Sequence, residues 1–193
     1  MKNPVVIILM VVLATATSFT KKGFWIIDNH SVLTIHGSTN VNNFSCTMDC
    51  YVGGDTLRYI KSNTGYELSS NRPMIIPVKS FECNTRQISN DFRKTLKAET
   101  YPQLKINFRS LQSPAYVSNS CVNGVVDISL AGVTTRYTIQ FNVVRNEQNT
   151  ILLKGVHPVA FSDFNLEAPE KLSGLIKVRE VLNVEFNLVL REI

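Results

Sequence analysis

Val122-Asn-Gly-Val-Val126-Asp-Ile128-Ser-Leu130-Ala131-Gly132-Val133-Thr-Thr-Arg136-Tyr137-Thr-Ile139-Gln-Phe141-Asn-Val143 is the stretch that decides the fold. Val126, Ile128 and Leu130 alternate with Asp127 and Ser129. After Ala131-Gly132, Val133, Tyr137, Ile139, Phe141 and Val143 alternate with Thr134, Arg136, Thr138, Gln140 and Asn142. A period of two belongs to a strand with one dry and one wet face. Gly132 stands where the chain must reverse, so the two runs form an antiparallel hairpin. A sheet built of such strands must cover its dry face or curl around something.

Working outward, the same alternation returns in Leu104, Ile106 and Phe108, and most cleanly in Leu182, Val184, Phe186, Leu188 and Leu190. Phe24 to Asp28 and Ser31 to Gly37 read as two strands of a second hairpin about an Asn29-His30 turn. A long strand runs from Asn40 to Val52, and Gly53-Gly54-Asp55 marks a turn before Leu57 to Ile60. The polar segment from Ser62 to Pro73 reads as a loop with a short strand at Tyr66 to Leu68. Met74 to Cys83 and Thr150 to Phe161 are strands carrying Pro77 and Pro158, and Pro77 suggests an edge or a bulge. One segment changes period. Ile88, Phe92 and Leu96 fall at i, i+4 and i+8, predicting a short helix with Ser89 or Asn90 as N-cap and Arg93, Lys94 and Lys97 on its outer side.

Eight or more antiparallel strands and one helix predict an all-β fold. Regular alternation favours closure into an eight-stranded barrel, which removes exposed edges, with the helix over part of it. Eight strands leave an interior wide enough for side chains or one ligand. The inward set is apolar, so an open interior would be greasy. The residues placed on its wall are Phe44, Phe81, Phe92, Leu96, Phe108, Ile128, Tyr137, Ile139, Phe141, Phe161 and Phe186. Phe92 and Leu96 would form a lid, and Arg93 and Lys94 behind them could meet a phosphate head group.

The chain has 193 residues, 44% of them hydrophobic, which suits one sizeable domain. Its first sixteen residues read as a cleaved signal peptide: Lys2, the nine-residue apolar run Val5 to Leu13, then Ala14-Thr15-Ala16. That run is far short of the about twenty residues a bilayer span needs. Residues 17–193 are then one exported domain, periplasmic or secreted. Without Lys2 the chain keeps 19 basic and 15 acidic residues. So small and scattered an excess excludes a nucleic-acid stripe but admits transient contact with an anionic membrane surface. The oligomeric state is left open, a homodimer included.

Export turns the four cysteines toward disulfides. Cys46 and Cys50 share a strand face about 13 Å apart, too far to bond, so if two bridges form they join these to Cys83 and Cys121 in either order; buried free thiols are the alternative. No metal or other cofactor is called for. His30 and His36 would lie about 20 Å apart along an extended chain, and His157 stands alone in sequence. Asp28, His30 and Ser31 invite a catalytic reading, but contiguity in a turn does not supply the convergent geometry of a triad. Turn hydrogen bonds suit Asp28 and His30 better, and an enzyme is not expected.

The residues also resemble a known family. Trp25-x-x-Asp28-x-His30-Ser31-x-Leu33-x-Ile35-x-Gly37, then Thr39-Asn40-Val41-x-x-Phe44, looks like the opening of the YceI-like proteins. The helix followed by Tyr101-Pro102, Leu130-x-Gly132-Val133-Thr134, and Phe161-Ser162-Asp163-Phe164-x-Leu166 keep the family's order and spacing, from about Phe24 to Leu190. Asn165 departs from it, since Gly often precedes the Leu. The resemblance implies an elongated, lipocalin-like antiparallel β-barrel, exported in bacteria, holding a polyisoprenoid or similar long apolar chain in its pore. A barrel filled by its own side chains, serving as a secreted structural or interaction module, is the alternative.

Overall fold

The computed structural model describes residues 21–48, 51–52, 54–62, 65–70, 72–112, 120–145, 150–171 and 173–193. The expected signal peptide, Cys50 and the loop at 113–119 lie outside them.

Among the described residues fourteen strands and one α-helix follow in chain order: β1 Lys22–Ile27, β2 Val32–Ser38, β3 Asn43–Met48, β4 Thr56–Ser62, β5 Gly65–Ser70, β6 Met74–Pro77, β7 Phe81–Cys83, α1 Arg86–Thr95, β8 Gln103–Gln112, β9 Ser120–Leu130, β10 Val133–Arg145, β11 Thr150–Ala160, β12 Glu170–Lys171, β13 Ile176–Lys177 and β14 Val181–Glu192. Neighbours pair in the order β1-β4-β5-β8-β9-β10-β11-β14, and β14 pairs β1 again, so eight antiparallel strands close a ring. At the other end of the ring, β14 continues onto β2, β2 onto β3 and β3 onto β7, while β6 joins β8.

The organising hairpin forms as its alternation predicts, with Val133 opposite Leu130 and Val143 opposite Ser120. Its turn puts Ala131 and Gly132 at φ of 50° and 83°, the left-handed pair that a two-residue hairpin connection requires. The ring of Tyr101 sits against Gly132, where a Cβ would come within 2.9 Å of it.

Four expectations are corrected. Phe24–Asp28 and Ser31–Gly37 do not pair as a hairpin, because β1 and β2 both run along β14. Ile27 faces Leu190 and Val32 faces Asn187, so four residues on one side oppose two on the other. The bulge is filled locally, with Asp28 N–H donating to Val189 O at 2.8 Å and Val189 N–H donating to the buried Ser31 Oγ at 3.0 Å. The polar stretch after Ser62 supplies a ring strand, β5, where half-polar residues are tolerated because one face is wet. Met74 to Cys83 is two strands hinged by a 3₁₀ turn at Val78–Ser80, following the restricted backbone of Pro77. The helix begins earlier than expected, with Thr85 as N-cap accepting the Ile88 N–H at 3.2 Å.

The interior is packed at one end and in the middle. Trp25, Tyr59 and Tyr66 stack with centroids 4.6 to 5.4 Å apart. The Tyr59 hydroxyl donates to Glu192 at 2.5 Å, and burial together with this carboxylate pushes its pKa up to about 12. In the middle, the Phe141 ring lies between Gly124 and Gly155 on the flanking strands and meets Phe186 edge-on. On the outer face, Asp127 is pinned by Arg109 at 2.8 Å and Arg136 at 2.6 Å. Among the described residues no helix is long and apolar enough to cross a membrane.

Candidate functional site

The remaining end of the ring carries the site. Helix α1 is amphipathic, with Ser89 and Phe92 buried and Arg93 and Lys94 in its last turn, where cations complement the helix dipole. It stops because Lys97 takes a left-handed conformation (φ 53°), letting Ala98 N–H reach Arg93 O and Lys97 N–H reach Lys94 O. Its root is tied down several times over. Cys83, at the end of β7, is disulfide-bonded to Cys46 on β3, its registered partner. Cys83 N–H donates to Ser89 Oγ at 2.9 Å, and Phe81 packs on Phe92 with centroids 5.6 Å apart.

The basic outer face divides. Arg93 turns back onto the protein, donating to Lys79 O at 3.0 Å, Phe81 O at 3.2 Å and Glu82 Oε1 at 2.5 Å. It is therefore engaged with β7 rather than held ready for a phosphate. Lys94 borders outer surface grooves.

Beneath the helix lies an apolar cavity of about 360 Å³. Ile88 and Phe92 of α1 form its roof, Phe44, Phe161 and Leu182 its floor, and Val41, Ile176 and Val178 its outer wall. The wall is fastened by Asn40, which donates to Leu175 O at 2.9 Å and accepts from Lys177 N–H at 3.0 Å. The turn before β3 is shaped by Thr39, whose Oγ1 accepts the N–H groups of Val41 and Asn42. Asp91 is the single ionisable group among the described residues that line the cavity. Its size is at the small end of the about 300–1,000 Å³ typical of ligand pockets.

The residues expected on the wall separate into three groups. Phe44, Phe92 and Phe161 meet at this cavity. Phe81, Leu96, Phe108, Ile128, Ile139, Phe141 and Phe186 are buried in the core. Tyr137 belongs to a polar corner instead. Its hydroxyl donates to Asp163 Oδ2 at 2.8 Å, and its pKa is pushed up by burial and by that carboxylate. Asp163 also accepts the Ala160 N–H at 3.1 Å, and Asn165 takes the left-handed conformation (φ 53°) that Asn tolerates almost as glycine does. The departure from Gly therefore leaves this turn formed. Val41, Ile88, Ile176, Val178 and Leu182 are lining residues that were not expected on the wall. Ile88 and Leu182 were legible in the helical stripe and in the alternation of the last strand, whereas the others sit on loops or a two-residue strand.

The cysteines and polar turns resolve as well. Cys46–Cys83 is one of the two pairings left open for Cys46. Cys121, enlisted for a second bridge, is an exposed free thiol that donates to Asn142 Oδ1 at 3.0 Å on the neighbouring strand. Asp28 accepts from the His30 N–H at 2.9 Å and from Arg191 at 2.7 Å, and these groups, His30 first, hold its carboxyl below the usual range. Ser31 is consumed in the β14 ladder, so the three residues build a bulge. Among the described residues no three His, Cys, Asp or Glu side chains gather into a metal site.

Comparison with known proteins follows the same geometry. The family model of the YceI-like domain matches residues 60–190. A solved polyisoprenoid-binding domain from Saccharophagus degradans, implicated in plant cell wall breakdown, superimposes with a TM-score of 0.65 at 18% identity, over 88% of this chain and 98% of that one. Burkholderia cenocepacia BcnA superimposes with a TM-score of 0.56 at 19% identity, over 82% of this chain and 95% of that one. At these identities the likeness is one of fold. No curated protein sequence matches the chain.

Proposed function

The chain belongs to the YceI-like domain family, and from that premise we propose that it is a non-enzymatic binding protein for a long apolar lipid of isoprenoid type. The observation that carries this reading is the apolar cavity of about 360 Å³ under α1, walled by Phe44, Phe92, Phe161 and Leu182. Each CH₂ transferred from water into such a space contributes roughly 0.8 kcal/mol, so a few isoprene units suffice for useful affinity. The solved domain from Saccharophagus degradans, described as polyisoprenoid-binding, supports the same ligand class. A chain longer than the cavity would extend along the outer wall or displace side chains below Phe161.

We further place the protein in the periplasm or outside the cell, its first sixteen residues removed. The leader-like N-terminus supports this, as does a disulfide of the kind oxidising compartments sustain. A carrier that shields an apolar chain from water is the role that fits.

Organic extraction of the purified chain followed by mass spectrometry tests the reading. Recovery of an isoprenoid or comparable long-chain lipid supports it. Finding none, together with no uptake of added polyprenols or quinones, would sink it. That result would favour the second reading, a side-chain-filled interaction module, which the Trp25–Tyr59–Tyr66 stack and the wedged Phe141 already make a physical option.

A further inference from the structure

Resting on the lipid-binding reading above, we propose that the protein takes up and releases its apolar chain while docked on a lipid bilayer, and that the docking surface is the pair of apolar loop tips at Val41 and Leu175 beside the cavity mouth. Val41 lines the cavity and is nevertheless 65% exposed, so the cavity reaches the protein surface at this residue. Leu175, in the turn before β13, is 72% exposed. Asn40 fastens the two tips side by side. Its Nδ2 donates to Leu175 O at 2.9 Å, its backbone N–H donates to Lys177 O at 3.2 Å, and its Oδ1 accepts the Lys177 N–H at 3.0 Å. Past Leu175 the arm turns Ile176 and Val178 into the cavity, and a bridge between Thr39 and Val178 closes the seam.

Exposed aliphatic residues scattered singly are ordinary, but two held together at the rim of an apolar cavity form a patch continuous with it. The size of that patch decides its occupant. A stable protein interface takes about 20–30 residues a side, so two tips are far too small to hold a second copy or a protein partner. Entering the apolar boundary of a bilayer requires only the tips, because such binding scales with the apolar area buried. Burying one aliphatic side chain of this size is worth about a tenfold to hundredfold gain in partitioning. Two of them give a contact that orients the cavity mouth toward the bilayer and still lets go. A chain then passes by Val41 between bilayer and cavity without crossing water. Because the drive is apolar, neutral lipid suffices.

The test is co-sedimentation of the purified exported chain with phosphatidylcholine vesicles, read beside uptake of the neutral fluorophore N-phenyl-1-naphthylamine in the absence of vesicles. The unaltered chain should bind the vesicles, and raised salt, which screens surface charges, should not release it. Leu175→Asp should weaken vesicle binding by about tenfold or more and leave fluorophore uptake unchanged, since Leu175 does not line the cavity. Leu175→Trp should strengthen binding, because tryptophan favours the bilayer interface. Val156→Asp, at a 58% exposed position on the outer wall of the ring, should change neither readout. Failure of the unaltered chain to bind, binding that needs anionic lipid and is lost in salt, or equal binding by Leu175→Asp overturns the proposal. So does a dimer of the unaltered chain that Leu175→Asp converts to a monomer, which would make the tips an interface between copies. Absence of fluorophore uptake by the unaltered chain overturns the lipid-binding reading instead, whatever the vesicles show.

Discussion

The tip of the Phe44 ring sits over Gly37 of the neighbouring strand, so closely that a Cβ built at position 37 would come within 2.8 Å of both Cε atoms. The two residues face each other in the β2–β3 ladder. Phe44 also lines the cavity under α1, so the absence of a side chain at position 37 is what lets the ring lie back from the cavity.

Gly37→Ala should therefore push Phe44 into the cavity. The overpacking should cost about 1–3 kcal/mol, read as a lowered denaturation midpoint, and uptake of a neutral apolar fluorophore should fall more than stability does. Undiminished uptake would show that Phe44 has another way to relax.

The Cys46–Cys83 bridge closes a loop across 37 residues of sequence. Chain-entropy reasoning gives it about 3–4 kcal/mol. Replacing both cysteines by alanine should lower the melting temperature by several degrees, and a reductant should do the same to the unaltered chain but nothing more to the variant. Because Cys83 roots α1, apolar uptake should weaken as well. A melting temperature indifferent to the bridge would contradict this account.

Asp127 offers a pH test. Hydrogen bonds from Arg136, then Arg109, lower its pKa from 3.8 to about 2, against the opposing effect of burial. A depressed carboxylate adds stability that is complete above its unfolded pKa near 3.8 and is lost as pH falls through about 2. With both guanidinium groups largely solvated, the contribution should be about 1–2 kcal/mol. Denaturation curves of the unaltered chain and Asp127→Asn should differ at pH 7 and converge toward pH 2. A gap that stays constant over that range would assign the effect to packing.

Lys97 is a non-glycine residue at φ 53° in the turn that ends α1. Lys97→Gly should stabilise the protein by about 0.5–1 kcal/mol, since glycine adopts this conformation without steric cost. Thr85→Ala, which removes the opposite cap, should cost about 1 kcal/mol. Thermal unfolding distinguishes the two signs, and a destabilised Lys97→Gly would mean that the lysine side chain contributes more than its backbone costs.

The sequence by itself determined most of the strands, because alternation is a local property that each strand displays alone. Val122 to Val143 announced a hairpin, and Leu182 to Leu190 announced a strand, β14, which the structure makes central by pairing it with β1, β2 and β11. Ile88, Phe92 and Leu96 likewise announced a helix. Tertiary structure alone decided what each inward residue faces. Parity puts Phe44 and Phe141 on the same kind of dry face, yet Phe141 is wedged between Gly124 and Gly155 while Phe44 borders open space. The site depends on groups far apart in sequence, such as Val41, Phe92 and Leu182, whose meeting is set by ring closure and by the disulfide at the root of α1. No local period records such a meeting, because the free energy that holds it comes from contacts made only when the ring is closed.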